Sequence, residues 1–160
     1  MVKVYLGIGA NIGSPVENIN NAILLLSEKI IGITTAPMFK SRAVGFEDQP
    51  DFINTAIVGD TSLNILELFD FTTSVEAKIG RRKTFHWGPR EIDIDIIFYG
   101  TNSYKEPTIT IPHASYKERD FVLLPLLKLN PKIEDPITNQ PLSEILATIS
   151  NENLSIIEEL

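Results

Sequence analysis

Apolar and polar positions change their period several times along the chain, and each change predicts an element. Val2, Val4, Leu6 and Ile8 alternate with Lys3, Tyr5 and Gly7, the two-residue period of a strand with one apolar face. A loop follows over residues 9–13 and reads as a turn, because its glycines match neither the dinucleotide nor the Gly-Lys-Ser/Thr phosphate spacing. Ser14, Pro15 and Glu17 then fit the N-cap, N1 and N3 positions of a capping box. Ile19, Ala22, Ile23, Leu26 and Ile30 recur at helical spacing, so a core-facing helix is predicted to about Lys29 or Ile30. Residues 33–41 read as a second strand in which Pro37 marks an edge or a bulge. A polar loop over residues 42–51, long enough to move, leads into a third strand over 52–59 that forms a hairpin with the second.

Asn64 and Glu67 suggest another capping box, and Leu68, Phe71, Val75 and Ile79 give a second helix its stripe, ended by Gly80. Glu76, near the end of that helix, reads as a partner in a surface ion pair. In a strand over residues 92–99, Ile92, Ile94, Ile96 and Phe98 share one face, leaving Asp93, Asp95 and Ile97 on the other. After a turn at Gly100, residues 108–111 are short and extended and end at Pro112-His113. A third helix is predicted over 117–129 with Phe121, Leu124 and Leu127 inward, bent or interrupted at Pro125. Three prolines precede a short amphipathic helix over 142–149, and the acidic tail beyond Ser150 is expected to fray. The order β-α-β-β-α-β is that of an α+β, ferredoxin-like fold: a mostly antiparallel sheet with helices on one face and C-terminal additions. The other face would be left for ligands.

Composition narrows the partners. The 160 residues suit one domain spanning 1–160, with 43% hydrophobic and 22% charged residues typical of a soluble globular chain. A net charge of −7 argues against nucleic acid or an anionic membrane as partner, so any anion site must be local. The absence of cysteine excludes disulfides, thiolate catalysis and Cys-based metal sites. No secretory signal or membrane span is visible, and a cytoplasmic monomer is the default expectation.

The candidate chemistry gathers before and within the strand over 92–99. Asp93 and Asp95 would stand about 7 Å apart at Cα and could converge on one cation or a close pair. Taken alone, Asp-x-Asp on a strand is commonly a solvated face, and basic residues in a loop are commonly solvated too. Here Arg81, Arg82, Lys83 and Arg90 lie within fifteen residues of the pair, with Trp87 and a Gly-Pro turn between. Acid on a strand beside base on a loop is what a metal-bound polyphosphate requires.

The stretch Trp87-Gly88-Pro89-Arg90-x-x-Asp93-x-Asp95-Ile96-Ile97 resembles the signature of the 6-hydroxymethyl-7,8-dihydropterin pyrophosphokinases of folate biosynthesis. The resemblance extends from the first strand to about Pro131. It implies transfer of pyrophosphate from ATP to the pterin hydroxymethyl group, with AMP as the other product. It implies two Mg²⁺ ions held by Asp93 and Asp95. Arg81, Arg82 and Arg90 would serve the transfer itself, the first two from a mobile basic lid loop. Lys83, Trp87, Arg90, Thr110, His113 and Arg119 would bind ATP. Ser41, Val44, Phe52, Asn54 and Phe121 would bind the pterin, the two phenylalanines as a sandwich and Asn54 as the amide that reads an edge. Without the resemblance, both phenylalanines read as core, Trp87 as a lid residue or a core anchor, and Asn54 as an amide either satisfied by backbone or presented to a heterocycle.

Several positions depart from the family pattern. His86 stands where Arg is frequent, the stretch from Gly80 to Trp87 is short, Ala114 replaces a usual Pro, and Ser41 a usual Thr. Two other classes share parts of the layout. A metal-dependent phosphohydrolase would use the same acid and base without needing a pocket at Phe52, Asn54 and Phe121. A ferredoxin-like binding or regulatory domain would need no convergent carboxylates.

Overall fold

The computed structural model describes residues 1–82 and 85–160. Strand β1 (Val2–Ala10) runs two residues past the predicted end, through Gly9, because it pairs over its whole length with β4 (Phe52–Thr61). Helix α1 (Pro15–Leu26) starts at proline as expected, but the Ser14 side chain makes no capping hydrogen bond. It also stops at Leu26. Ile30 reaches the core from a turn whose amide donates to the Leu26 carbonyl at 3.0 Å. The predicted second strand is two strands, β2 (Ile31–Thr35) and β3 (Phe39–Ser41), both antiparallel to β4 and broken around Pro37.

Helix α2 (Ile65–Ile79) has both bonds of the Asn64–Glu67 capping box and ends at Gly80 with φ 109°. That left-handed backbone is cheap only for a residue without Cβ. Strand β5 (Asp93–Tyr99) pairs antiparallel with β1 at one end of the sheet. A bulge interrupts this pairing: Tyr5 faces Phe98 and Leu6 faces Ile96, which leaves Ile97 as the extra residue. Alternation therefore breaks there. Phe98 leaves the face of Ile92, Ile94 and Ile96 and packs beside Ile97, while Tyr99 takes its place.

A small hairpin, β6 (Tyr104–Lys105) and β7 (Thr110–Ile111), leads to a 3₁₀ turn at Tyr116–Glu118 and helix α3 (Asp120–Leu129). Pro125 removes one intrahelical hydrogen bond without ending α3. Among its buried residues, Val122, Leu123 and Leu126 are one step out of phase with the predicted 121, 124 and 127. The phase is set by packing on β4 and on helix α4 (Leu142–Ala147). The acidic tail does not fray: β8 (Ile156–Glu159) pairs antiparallel with β3 and forms the other end of the sheet.

The sheet order β5-β1-β4-β3-β8, with β2 beside β4, contains the ferredoxin-like arrangement of the first four predicted strands. Helices α1 and α2 cover one face over a core of Val4, Leu6, Ile8, Ile19, Leu26 and Leu68. The two helices of the β-α-β-β-α-β unit thus lie on one face as expected, and the C-terminal additions α3 and α4 cover part of the other around Phe98, Tyr116 and Leu142. What α3 and α4 leave open on that face is a cleft.

Candidate functional site

The cleft has a volume of about 1140 Å³ and takes residues from both ends of the sheet. Asp93 and Asp95 both line it, as their shared strand face requires. Each carboxylate is met by an arginine from another element, and Asp95 by a histidine as well. Asp93 Oδ1 lies 3.4 Å from Arg81 Nη1 and 3.6 Å from Arg90 Nη1. Asp95 Oδ2 lies 4.0 Å from Arg119 Nη1 and 3.8 Å from His113 Nε2.

Glu76 is not on the surface. It is 7% exposed, accepts from the Ile94 amide at 2.9 Å and from Arg81 Nη1 at 2.8 Å, and lines the same cleft. It lies on the buried side of α2 with Leu68, Thr72 and Val75. Burial raises its pKa, while the Ile94 amide and Arg81 oppose the rise. Glu76 thus fixes Arg81 beside Asp93 and ties α2 to β5.

Asp95 has its pKa raised to about 7 by burial and then by the negative charge of Asp93, against the pull of Arg119. His113 is lowered to about 4 by burial and by Arg119, so it is neutral near pH 7. The Ser115 amide donates to its Nδ1 at 3.2 Å, which leaves the proton on Nε2, the nitrogen nearest Asp95. His113 is thus a neutral donor aimed at an anion.

The expected pterin residues meet at the other end of the cleft. Ser41, Val44, Phe52, Asn54 and Phe121 all line it. Neither phenylalanine is fully buried, and the Arg119 guanidinium lies 5.7 Å from the Phe121 ring centre. Asn54 is 8% exposed, and its Nδ2 donates to Ser41 Oγ at 2.8 Å, not to backbone. Gly9 faces Asn54 across the β1–β4 pairing, and a Cβ there would lie 2.4 Å from Asn54 Oδ1. Gly9 is therefore part of the site, signalled only by a glycine at the end of an apolar strand.

Two loops close one side. Trp87 is 50% exposed with φ 60°, so it is no core anchor. Its ring lies against Gly45, where a Cβ would come within 2.2 Å, and Phe46 stacks edge-on to Phe85 at 4.8 Å. Asn11, missed by sequence reasoning, joins these loops. Its Nδ2 donates to Gln49 and to the Pro50 carbonyl, and its Oδ1 accepts from the Arg90 amide at 2.8 Å. Arg82 is exposed and Thr110 is paired with Lys105 in the small hairpin; neither lines the cleft. Lys83 lies outside the described residues.

Among the described residues no cluster of three or more His, Asp or Glu side chains forms a metal cage. Two carboxylates on one strand face still fit Mg²⁺, which keeps several waters and takes one or two carboxylates together with substrate phosphates. No helix among the described residues is long and apolar enough to cross a membrane.

The raised Asp95 pKa has a consequence for stability. The folded chain holds this proton more tightly than the unfolded one, whose carboxyl titrates near its usual value of about 3.9. The associated stability is therefore present below about pH 4 and lost as the pH rises through about 7. Asp95→Asn removes that loss. In metal-free buffer at pH 8 its Tm should exceed wild type by about 2–4 °C, with the gap closing towards pH 4. An equal or lower Tm at pH 8, read by calorimetry, would contradict the electrostatic account.

Comparison with known proteins fits this geometry. The model of the family described as 7,8-dihydro-6-hydroxymethylpterin-pyrophosphokinase (HPPK) matches residues 5–131. The chain is 39% identical over 144 residues to the 2-amino-4-hydroxy-6-hydroxymethyldihydropteridine pyrophosphokinase of Aquifex aeolicus, covering 90% of each chain. Its counterpart of the same name from Bacillus subtilis is 33% identical over 137 residues, 84% of this chain and 82% of that one. Among solved structures, Plasmodium falciparum HPPK-DHPS superposes with a TM-score of 0.70 at 15% identity, over 92% of this chain and 43% of that one, a likeness of fold. The matched segment contains the paired carboxylates, and the chain belongs to the 7,8-dihydro-6-hydroxymethylpterin-pyrophosphokinase family.

Proposed function

We propose a division of labour for the pyrophosphoryl transfer to 6-hydroxymethyl-7,8-dihydropterin that this family member performs in folate biosynthesis. One domain, residues 1–160, does this as a cytoplasmic monomer with ATP as donor. The observation that carries the reading is the joining, in one cleft, of Asp93 and Asp95 with their cations and of the Asn54–Ser41 pair beside Phe52 and Phe121.

Arg81, Arg90 and Arg119 neutralise the polyphosphate, and the Nε2–H of His113 donates to one of its oxygens. Phe52 and Phe121 hold the flat pterin by its faces while Asn54 and Ser41 read its polar edge, with Val44 beside them. This orients the hydroxymethyl oxygen towards the β-phosphorus. A bond forms between them, the bond from the β-phosphorus to the bridging oxygen of the α-phosphate breaks, and AMP leaves with that oxygen, which takes up the proton that the hydroxyl gives up. Two Mg²⁺ ions held by Asp93 and Asp95 would neutralise phosphate oxygens and make the attacking hydroxyl more acidic. The loops carrying Trp87, Arg81 and Arg82 act as the lid that excludes water, clasped through Gly45 and Gln49. Water exclusion favours transfer to the pterin over hydrolysis.

The test is to incubate the protein with Mg-ATP and the dihydropterin and identify the products. AMP and the pterin diphosphate should appear one for one, and Asp95→Ala should slow them by about 100-fold or more. ADP, or ATP loss that ignores the pterin, would favour a phosphohydrolase and overturn the reading.

Gly9→Ala tests the pterin end separately. The new methyl pushes the Asn54 amide aside while the fold only has to move a side chain. Pterin KM should rise about tenfold, the cost of one misplaced buried amide, with ATP KM unchanged. An unchanged pterin KM would remove Asn54 from the pocket's recognition edge.

A further inference from the structure

Asp120 is 3% exposed and stands between Arg119 and Phe121, which both line the cleft. The reaction gives it no part. Its carboxylate is nevertheless fully engaged: Oδ2 accepts from the Ser155 amide at 2.7 Å and the Ile156 amide at 2.9 Å, and Oδ1 accepts from the Ser155 hydroxyl. Three donors from two adjacent residues of the C-terminal segment thus converge on one side chain at the start of α3.

That segment then runs along the sheet edge that carries part of the pterin pocket. The Arg42 amide donates to the Ser155 carbonyl at 2.8 Å, and the Arg42 guanidinium donates to the Leu154 carbonyl. Ser41 pairs with Ile156 and Phe39 with Glu159, and the Leu160 amide donates to the Met38 carbonyl at 2.8 Å. Lys128, near the far end of α3, lies 3.5 Å from Glu159. Strand β3 has only three residues and would otherwise be an open edge. Ile149, Ser150 and Asn153, just before the anchor, line the cleft themselves.

We propose that Asp120 is a positioning residue for the pterin slot, fastening the C-terminal strap (residues 154–160) so that the Ser41 edge and the Phe121 face keep their spacing. The proposal rests on the assignment of that slot to the pterin. Asp120 belongs to the element that supplies Phe121, and the strap it holds is paired with the strand that supplies Ser41. Ser41 in turn accepts from Asn54. One carboxylate therefore adds a hydrogen-bonded link between the two sides of the slot, beside the direct packing of α3 on β4. The hydrogen bonds of this linkage do not include β5, which lies at the opposite end of the sheet and meets the start of α3 through Arg119, 4.0 Å from Asp95.

The separation of the two ends makes the test selective. In the full-length protein, Asp120→Ala should raise pterin KM about tenfold or more, with ATP KM and kcat within about twofold of wild type. Asp120→Asn can still accept from both amides and can donate to the Ser155 hydroxyl, so its pterin KM should return to within about threefold. A purely structural role predicts a lower Tm with both KM values retained, or with both raised equally, and either result overturns the proposal. Should Asp120→Ala fail to fold, Ser155→Ala decides: it removes only the hydroxyl donor, and an unchanged pterin KM would overturn the clamp. Wild-type protein that forms no AMP with the pterin would instead overturn the functional reading, and the clamp with it.

Discussion

Two carboxylates on one face of a strand repel each other, and the surroundings of Asp93 and Asp95 answer that repulsion. Arg81 comes from the end of α2, Arg90 from the loop before β5, His113 from the turn after β7, and Arg119 from the residue preceding α3. Four separate parts of the chain are thereby drawn to one point. Glu76 adds a third carboxylate, buried, and is tolerated because the Ile94 amide and Arg81 satisfy it. On the proposed reading, the same arginines turn to phosphate when substrate and cations arrive. The raised pKa of Asp95 reflects its burial and the nearby charge of Asp93.

The rest of the cleft depends on how α3 is seated, and the bulge in β5 contributes to that. By rotating Phe98 onto the carboxylate face, it builds an aromatic cluster with Tyr116 at 5.1 Å and Tyr5 at 5.9 Å. Helix α3 packs its Val122, Leu123 and Leu126 against this cluster. Its neighbouring positions, Arg119 and Phe121, are left facing the cleft. A perfectly alternating β5 would have sent Phe98 into the other core and removed the support beneath them. The C-terminal strap then closes the remaining edge, so both chain-terminal additions serve the site as well as the core.

Local signals in the sequence determined most of the elements. The period-two run of β1, the Asn64–Glu67 box and Gly80 act within a few residues of themselves, and each formed as its chemistry requires. The spacing of Asp93 and Asp95 also determined that they share a face, because the pleat of a strand leaves no other choice. The family signature reached further than the physics of any single residue. It brought Phe52 and Phe121 into consideration although each, alone, looks like core.

Tertiary contact decided the remainder, wherever the outcome depended on a partner distant in sequence. The extension of β1 through Gly9, the bulge at Ile97 and the phase of α3 all follow from which strand or helix lies alongside. Glu76 looked solvated until β5 supplied the Ile94 amide, and the acidic tail looked frayed until Asp120, 35 residues earlier, offered it a carboxylate. A polar group's fate turns on whether a complementary donor or acceptor meets it on folding. That meeting is a property of the folded chain, invisible to the local pattern that shaped the elements.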